Sequence, residues 1–269
     1  MKNIFVLIVA FCLFACNKEA EKTEIDAMNS GANEKVEHKE GSKKITLPDP
    51  VWREYGPGED GYLFPEDFAA LGLKDLTSIS QVLEKLSGES INKISKININ
   101  TPTLKDFSGI ESFVALRYLE LFNVNVKDLK EISLLRNLEC LTIYNAEIDS
   151  LEGIGDLHKL YFLGFDGSTI KDHKSIASAD NVKILILDRF KEYRGLLQYV
   201  PDTVESLWLE GNDIKSLSEL EFLHERKSLK RLFIKDNLIS EEELMANCKW
   251  PDGSGLPRWG NLEVAWFEM

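Results

Sequence analysis

A triplet of apolar residues in the order Leu-x-x-Leu-x-Leu recurs along this chain at a fixed step, and no other feature limits its fold so strongly. Aligned, the triplets are Ile94, Ile97, Ile99; Leu116, Leu119, Leu121; Leu138, Leu141, Ile143; Leu160, Leu163, Phe165; Val182, Leu185, Leu187; and Val204, Leu207, Leu209, each starting 22 residues after the last. A seventh follows at Leu229, Leu232, Ile234 after a longer turn, and an eighth is expected at Trp259, Leu262, Val264 after an insertion. Further apolar positions return in phase: Leu104, Val126, Ile148, Ile170, Ile214, Ile239; then Phe107, Leu129, Leu151, Leu217; then Ile110, Ile132, Ile154, Ile176, Leu220. A period of this length marks a repeat architecture built from one supersecondary unit. One unit buries roughly six apolar side chains at about 1.5–3 kcal/mol each, less than the ~1–2 kcal/mol per residue that ordering it costs. A unit alone is therefore unstable, and interfaces shared between stacked neighbours must close the gap.

The pattern, over residues 94–266, resembles that of the leucine-rich-repeat family, and its period is similar to the internalin-like bacterial repeats. The resemblance implies an α/β solenoid with a parallel concave sheet of seven or eight short strands, a helical N-terminal cap and an irregular C-terminal cap. The family's turn asparagine stands only at Asn212 and Asn237; Pro102, Val124, Ala146, Ser168 and Phe190 replace it elsewhere, so an incomplete internal hydrogen-bond ladder is expected. The fifth unit departs further at Asp188 to Arg194, expected as a bulge or contact loop. Pro65 to Leu71 and Ser78 to Leu86 read as capping helices, the second with a Ser-x-x-Gln capping box and Gly88 as its stop. Glu241 to Cys248 reads as a closing helix.

Ahead of the repeats, Lys2 precedes an apolar run from Ile4 to Ala15, too short to span a bilayer but the length of a signal-peptide core. It ends Leu13-Phe14-Ala15-Cys16, which resembles the lipobox of bacterial lipoproteins and implies acylation of Cys16. Several acyl chains give stable anchoring where one is marginal. An ordinary secretory signal is the alternative, and export follows from both. Residues 17–44 carry no aromatic residue and almost no large aliphatic one, so they cannot offset chain entropy and read as a tether, with a reach of roughly 30 Å. The expected organisation is a signal peptide at 1–15, lipidated cysteine and tether at 16–44, N-terminal cap at 45–93, repeats at 94–240 and C-terminal cap at 241–269. Asn17, in place of the aspartate that retains some lipoproteins in the inner membrane, makes the outer membrane of a bacterial envelope the expected address.

Hydrophobic residues form 43% of the 269, enough for one sizeable core once signal and tether are set aside. A net charge of −13 argues against nucleic acid, and leaves the lipid as the chain's only expected membrane contact. No catalytic constellation, phosphate loop or metal motif is present in the sequence, and no cofactor is expected. Asp60, Asp67 and Asp75 are near one another in sequence, but spacing alone does not make a calcium loop, and His173 takes a position that is aliphatic in neighbouring repeats, as a buried side chain would. Cys140 and Cys248 stand roughly 19 Å apart along such a stack by strand spacing, beyond the ~7 Å limit for a disulfide, so two free thiols are expected.

Strand alternation sends each triplet inward and the residues between it outward. Three outward columns follow. Between the second and third triplet members lie Asn98, Glu120, Thr142, Gly164, Ile186, Trp208, Phe233 and Glu263; after the third lie Asn100, Phe122, Tyr144, Asp166, Asp188, Glu210, Lys235 and Ala265; before the second lie Lys96, Tyr118, Cys140, Phe162, Ile184, Ser206, Arg231 and Asn261. Exposed aromatic rings mark interaction sites, and Tyr and Trp dominate interface energetics. The candidate ligand-binding residues are therefore Tyr118, Glu120, Phe122, Tyr144, Phe162, Asp166, Asp188, Trp208, Glu210, Phe233 and Lys235, with Trp208 and Phe233 as anchors that the fold itself does not need. Rings among carboxylates suit a protein, a peptide of basic character or a glycan. Two alternatives stay open at this point: the columns pack over one another and bind nothing, or the chain is a structural or assembly component of the envelope with a constitutive protein partner. A monomeric, non-enzymatic binding module is the favoured reading.

The lipobox generates the first prediction. Metabolic labelling with a radioactive fatty acid should mark the wild-type chain and not Cys16→Ser; equal labelling of the two would remove the anchor.

Overall fold

The computed structural model describes residues 61–190, 192–249, 251 and 256–266. The signal segment, Cys16, the tether and the start of the cap region lie outside the described residues. Strand β1 (Tyr62–Leu63) opens the long sheet beside β2 (Lys96–Asn100); β3 (Tyr118–Phe122) comes next, with a short β4 (Asn125–Val126) on its flank. Units three and four repeat this arrangement as β5 (Cys140–Tyr144) with β6 (Glu147–Ser150), and β7 (Phe162–Asp166) with β8 (Thr169–Asp172). Then follow β9 (Ile184–Ile186), β10 (Ser206–Trp208), β11 (Arg231–Phe233), β12 (Arg258–Trp259) and β13 (Leu262–Ala265).

The long sheet has ten strands in the order β1-β2-β3-β5-β7-β9-β10-β11-β13-β12, while β4, β6 and β8 form a smaller sheet of three. Lys96 faces Tyr118, Tyr118 faces Cys140, Cys140 faces Phe162, Phe162 faces Ile184 and Ile184 faces Ser206, so the 22-residue step of the triplets is the step of the parallel register. This is a leucine-rich-repeat solenoid. Opposite the long sheet the chain returns through 3-10 segments at Ile110–Ser112, Ile132–Leu134, Ile154–Asp156, Lys174–Ser178 and Leu217–Glu225. Between the two layers lie the buried triplets and the in-phase residues Leu104, Leu129, Leu151, Ile176 and Leu220, these five fully buried.

Four expectations are corrected. The sheet is longer than seven or eight strands, because the front cap adds β1 and the end of the chain turns back as β12, antiparallel to β13. The last strand sits two residues off its expected register: Val264, not Leu262, faces Leu232, since Trp259 pairs with Leu262 across the left-handed Gly260 instead of opening a triplet. A two-residue slip preserves the inward and outward parity, but it puts Ala265 beside Phe233 and Glu263 beside Arg231. In the front cap, α1 (Pro65–Ala70) and α2 (Ser80–Leu83) are present, and Gln81 Oε1 accepts from Ser78 N at 3.1 Å. Gly88, however, opens α3 (Gly88–Lys93), because Ser87 Oγ caps it by accepting from Ser90 N. Finally, the fifth unit is no bulge: α4 (Tyr193–Leu197) replaces the 3-10 turn there, and Phe190, Tyr193, Leu196 and Leu197 are all core residues. At the far end α5 (Glu241–Asn247) forms where expected, capped by Ser240 Oγ on Glu243 N. Cys140 and Cys248 are free and buried.

The missing turn asparagines are partly replaced. Asn212 Oδ1 accepts from Phe190 N while its Nδ2 donates to Leu187 O; Asn237 does the same work for Asn212 N, Ile214 N and Leu209 O. Two units before Asn212, Ser168 Oγ spans the equivalent gap, accepting from Ala146 N at 3.1 Å and donating to Ile143 O at 3.0 Å. A buried N–H or C=O left alone costs about 1–3 kcal/mol. Asn212→Ala should therefore lose at least that range in urea unfolding followed by circular dichroism, and a loss under ~0.5 kcal/mol, the size of a surface change, would show that the ladder is not a stability element.

Candidate functional site

The outer face of the long sheet is organised by one backbone device repeated at each unit. Two residues beyond the second to seventh triplets the chain takes a left-handed step, at Asn123 (φ 57°), Asn145 (50°), Gly167 (63°), Arg189 (49°), Gly211 (65°) and Asp236 (56°). From Asn123 to Gly211 the N–H of that residue donates to the carbonyl of the next unit's column residue: Asn123 to Tyr144, Asn145 to Asp166, Gly167 to Asp188, Arg189 to Glu210 and Gly211 to Lys235, at 2.8–3.0 Å. The ladder carries the strand pairing past the ends of the regular strands, and so the residues after the third triplet member form one aligned column, Phe122, Tyr144, Asp166, Asp188, Glu210 and Lys235.

The candidate binding residues share this face but not the same exposure. Phe122 and Tyr144 are stacked at 4.3 Å between ring centroids, nearly parallel, and both are buried. Trp208 and Phe233 are stacked at 3.9 Å; Trp208 is half-buried, but Phe233 is only 3% exposed. The expectation that both anchors stand free of the fold therefore fails for Phe233, which is held between Trp208 and the Ala265 brought beside it by the slipped register. Phe162 is buried as well, because Gly164 leaves space: a Cβ at Gly164 would lie 3.5 Å from the Phe162 ring and 3.1 Å from Thr142 Cγ2. Glu120 is taken up within the chain, accepting from Lys96 Nζ at 3.0 Å and Asn98 Nδ2 at 2.8 Å. Tyr118 is half-buried with the Arg117 guanidinium 5.6 Å from its ring centre. Much of the aromatic column thus packs on itself.

The carboxylates do not pack away so comfortably. Asp166 and Asp188 are each 6% exposed, and Glu210 beside them is half-buried. Asp166 Oδ2 is paired with Arg189, while its Oδ1 is buried without a hydrogen-bond partner. Asp188 Oδ1 accepts from Glu210 N at 2.9 Å. Burial pushes all three carboxyls above their usual range, most strongly Asp188, whose neighbours Glu210 and Asp166 add to the rise; Arg189 draws Asp166 down and Lys235 draws Glu210 down. Among the described residues two more buried side-chain oxygens of this face, Thr142 Oγ1 and Ser206 Oγ, have no partner either. The outward column reading reached the carboxylates and the rings. Thr142 and Gly164 stand in those columns but not among the candidate site residues, and Arg189 falls only within the departure of the fifth unit, although Asn, Gly and Asp recurring in phase with it was a readable signal of the left-handed step.

No family model matches the sequence, and no curated protein sequence matches it. Among solved structures the chain is similar to an internalin of Listeria monocytogenes, with 18% identity, a TM-score of 0.45, and coverage of 72% of this chain and 52% of that one. A second internalin of the same organism matches at 20% identity and TM-score 0.39, covering 68% of this chain and 84% of that one. A leucine-rich-repeat protein of Leptospira interrogans matches at 20% and 0.33, covering 59% and 48%. The chain spans about half the length of the first and third of these structures.

The carboxylate column generates a pH prediction. Asp188 has a folded-state affinity for its proton above that of the unfolded chain, so the stability it contributes is full below the unfolded value and is lost as pH rises through the folded one. At pH 7, above the unfolded value, the group therefore lowers stability relative to acid pH. Asp188→Asn, which keeps an oxygen for Glu210 N, should raise the melting temperature at pH 7, by about 2–4 °C per kcal/mol recovered in a domain of this size, with the gain shrinking toward pH 4. A variant less stable than wild type at pH 7 would contradict this.

Proposed function

We propose that this chain is a recognition module without catalytic activity, tethered to the outer membrane of a bacterial envelope through lipid on Cys16, with Asn17 in place of a retention aspartate, that holds a protein partner against the outer face of its long sheet. The observation that supports the reading is the composition of that face between Tyr118 and Lys235. It combines half-buried Trp208 on a rigid ring stack with buried oxygens of Thr142, Asp166 and Ser206 that have no hydrogen-bond partner. Buried polar atoms without partners are a small minority in folded proteins, and where they occur they call for an explanation. A partner's donors supply one. Large aromatic side chains at the centre of a face are the residues that carry binding energy.

A photo-crosslinking amino acid in place of Tyr118, on the outer face, should yield protein adducts on living cells, whereas the same group in place of exposed Ala177, on the opposite side, should not. Adding Trp208→Ala to the Tyr118 variant should cut capture roughly 30-fold, the equivalent of ~2 kcal/mol for an aromatic anchor. Equal adducts at both positions would sink the proposal. Adducts that survive protease would replace the protein partner by a glycan.

A further inference from the structure

Like charges directly opposite one another on neighbouring strands destabilise a sheet, and burial increases the cost because charges lose their water. Asp166 ends β7, and Asp188 and Glu210 stand two residues beyond β9 and β10 in the same column, where the backbone ladder keeps neighbours about 5 Å apart. The same column two units earlier is filled by the neutral, stacked Phe122–Tyr144 pair. The fold thus had an apolar way to fill these positions and carries carboxylates instead.

Arg189 shows what such a stack accepts. Its five counterparts at the left-handed step are asparagine, glycine or aspartate, the residues that tolerate positive φ; an arginine there costs roughly 1–2 kcal/mol of backbone preference. Its side chain, 56% exposed, reaches back across one strand to pair with Asp166 Oδ2. One cation from the chain is thus laid on one end of the column from the solvent side, on a long exposed arm that can leave without disturbing the core. Oδ1 of Asp166, in a residue more than nine-tenths buried, has no hydrogen-bond partner even so. An ionised carboxylate has about four acceptor positions, and a guanidinium fills two in parallel. Tyr144 stands in line with the carboxylates at one end, Lys235 at the other, and Trp208 lies in the adjacent column two residues before Glu210; rings of this kind stack on guanidinium groups.

We propose that the column Asp166, Asp188 and Glu210 is the receptor for an arginine side chain in a basic segment of the protein partner, and that Arg189 is its intramolecular occupant, displaced when the partner binds. The proposal rests on the outer face being the binding surface, and it adds the partner's chemistry. The overall charge of −13 favours approach of such a segment.

The test uses the full chain in detergent and a hexa-arginine peptide, with the hexa-citrulline peptide as its neutral isostere, followed by titration calorimetry. Wild type should bind the arginine peptide and not the citrulline one. Asp188→Asn with Glu210→Gln should weaken binding at least about tenfold, while Glu147→Gln with Glu221→Gln, exposed carboxylates away from the column, should change it less than about twofold. Arg189→Gly, suited to the left-handed step, should tighten binding severalfold, and it decides the matter if the first double variant fails to fold. Failure of wild type to bind, equal binding of the citrulline peptide, equal losses in the two double variants, or weaker binding by Arg189→Gly each overturns the proposal. If crosslinking at Tyr118 captures a protein while the arginine peptide does not bind, the cation receptor falls and the recognition module stands; if neither occurs, both fall.

Discussion

The structure depends on an interface that no single unit owns. Each 22-residue step presents one row of inward aliphatic residues, too little apolar surface to hold a unit by itself, and the row becomes a core only when the next unit is laid on it. The parallel register from β2 to β10, the return through 3-10 turns and the need for caps at both ends all follow from that. At the front, β1 and α1 to α3 close the stack; at the back, the β12–β13 hairpin and α5 do so, leaving among the described residues no long bare sheet edge to pair with another chain. The left-handed steps after the triplets tie neighbouring units together beyond the strands and bring the outward residues into columns.

The same stacking governs the outer face, with the opposite consequence. Residues one unit apart sit at strand spacing whether or not their chemistry suits it. Where the column holds rings, the spacing produces parallel stacks such as Phe122 on Tyr144; where it holds carboxylates, it produces the strained Asp166–Asp188–Glu210 run. The first adds to the stability of the fold and the second detracts from it.

Stability and recognition are therefore not separable by face. Phe233 and Phe162 were readable as outward residues, yet both are nearly as buried as the core, one between Trp208 and Ala265 and the other over Gly164. Trp208, Glu210 and Lys235, which keep part of their surface, are better placed to meet a partner than the rings that lie flat.

Periodicity in the sequence determined the solenoid, the residues of its core, the parity of each strand, the outward columns as far as β11 and the separation of Cys140 from Cys248. These are local or translational properties: side-chain direction alternates along a strand, and one step of the repeat predicts the next. Tertiary structure alone decided how much of each outward side chain is covered, that Arg189 reaches Asp166 across a strand, that Ser168 stands in for a turn asparagine, and that the last strand slips by two residues against β11. Each of these depends on what the neighbouring unit offers at about 5 Å, and where the repeat is broken by an insertion or a change of residue size, the one-unit translation no longer carries the answer.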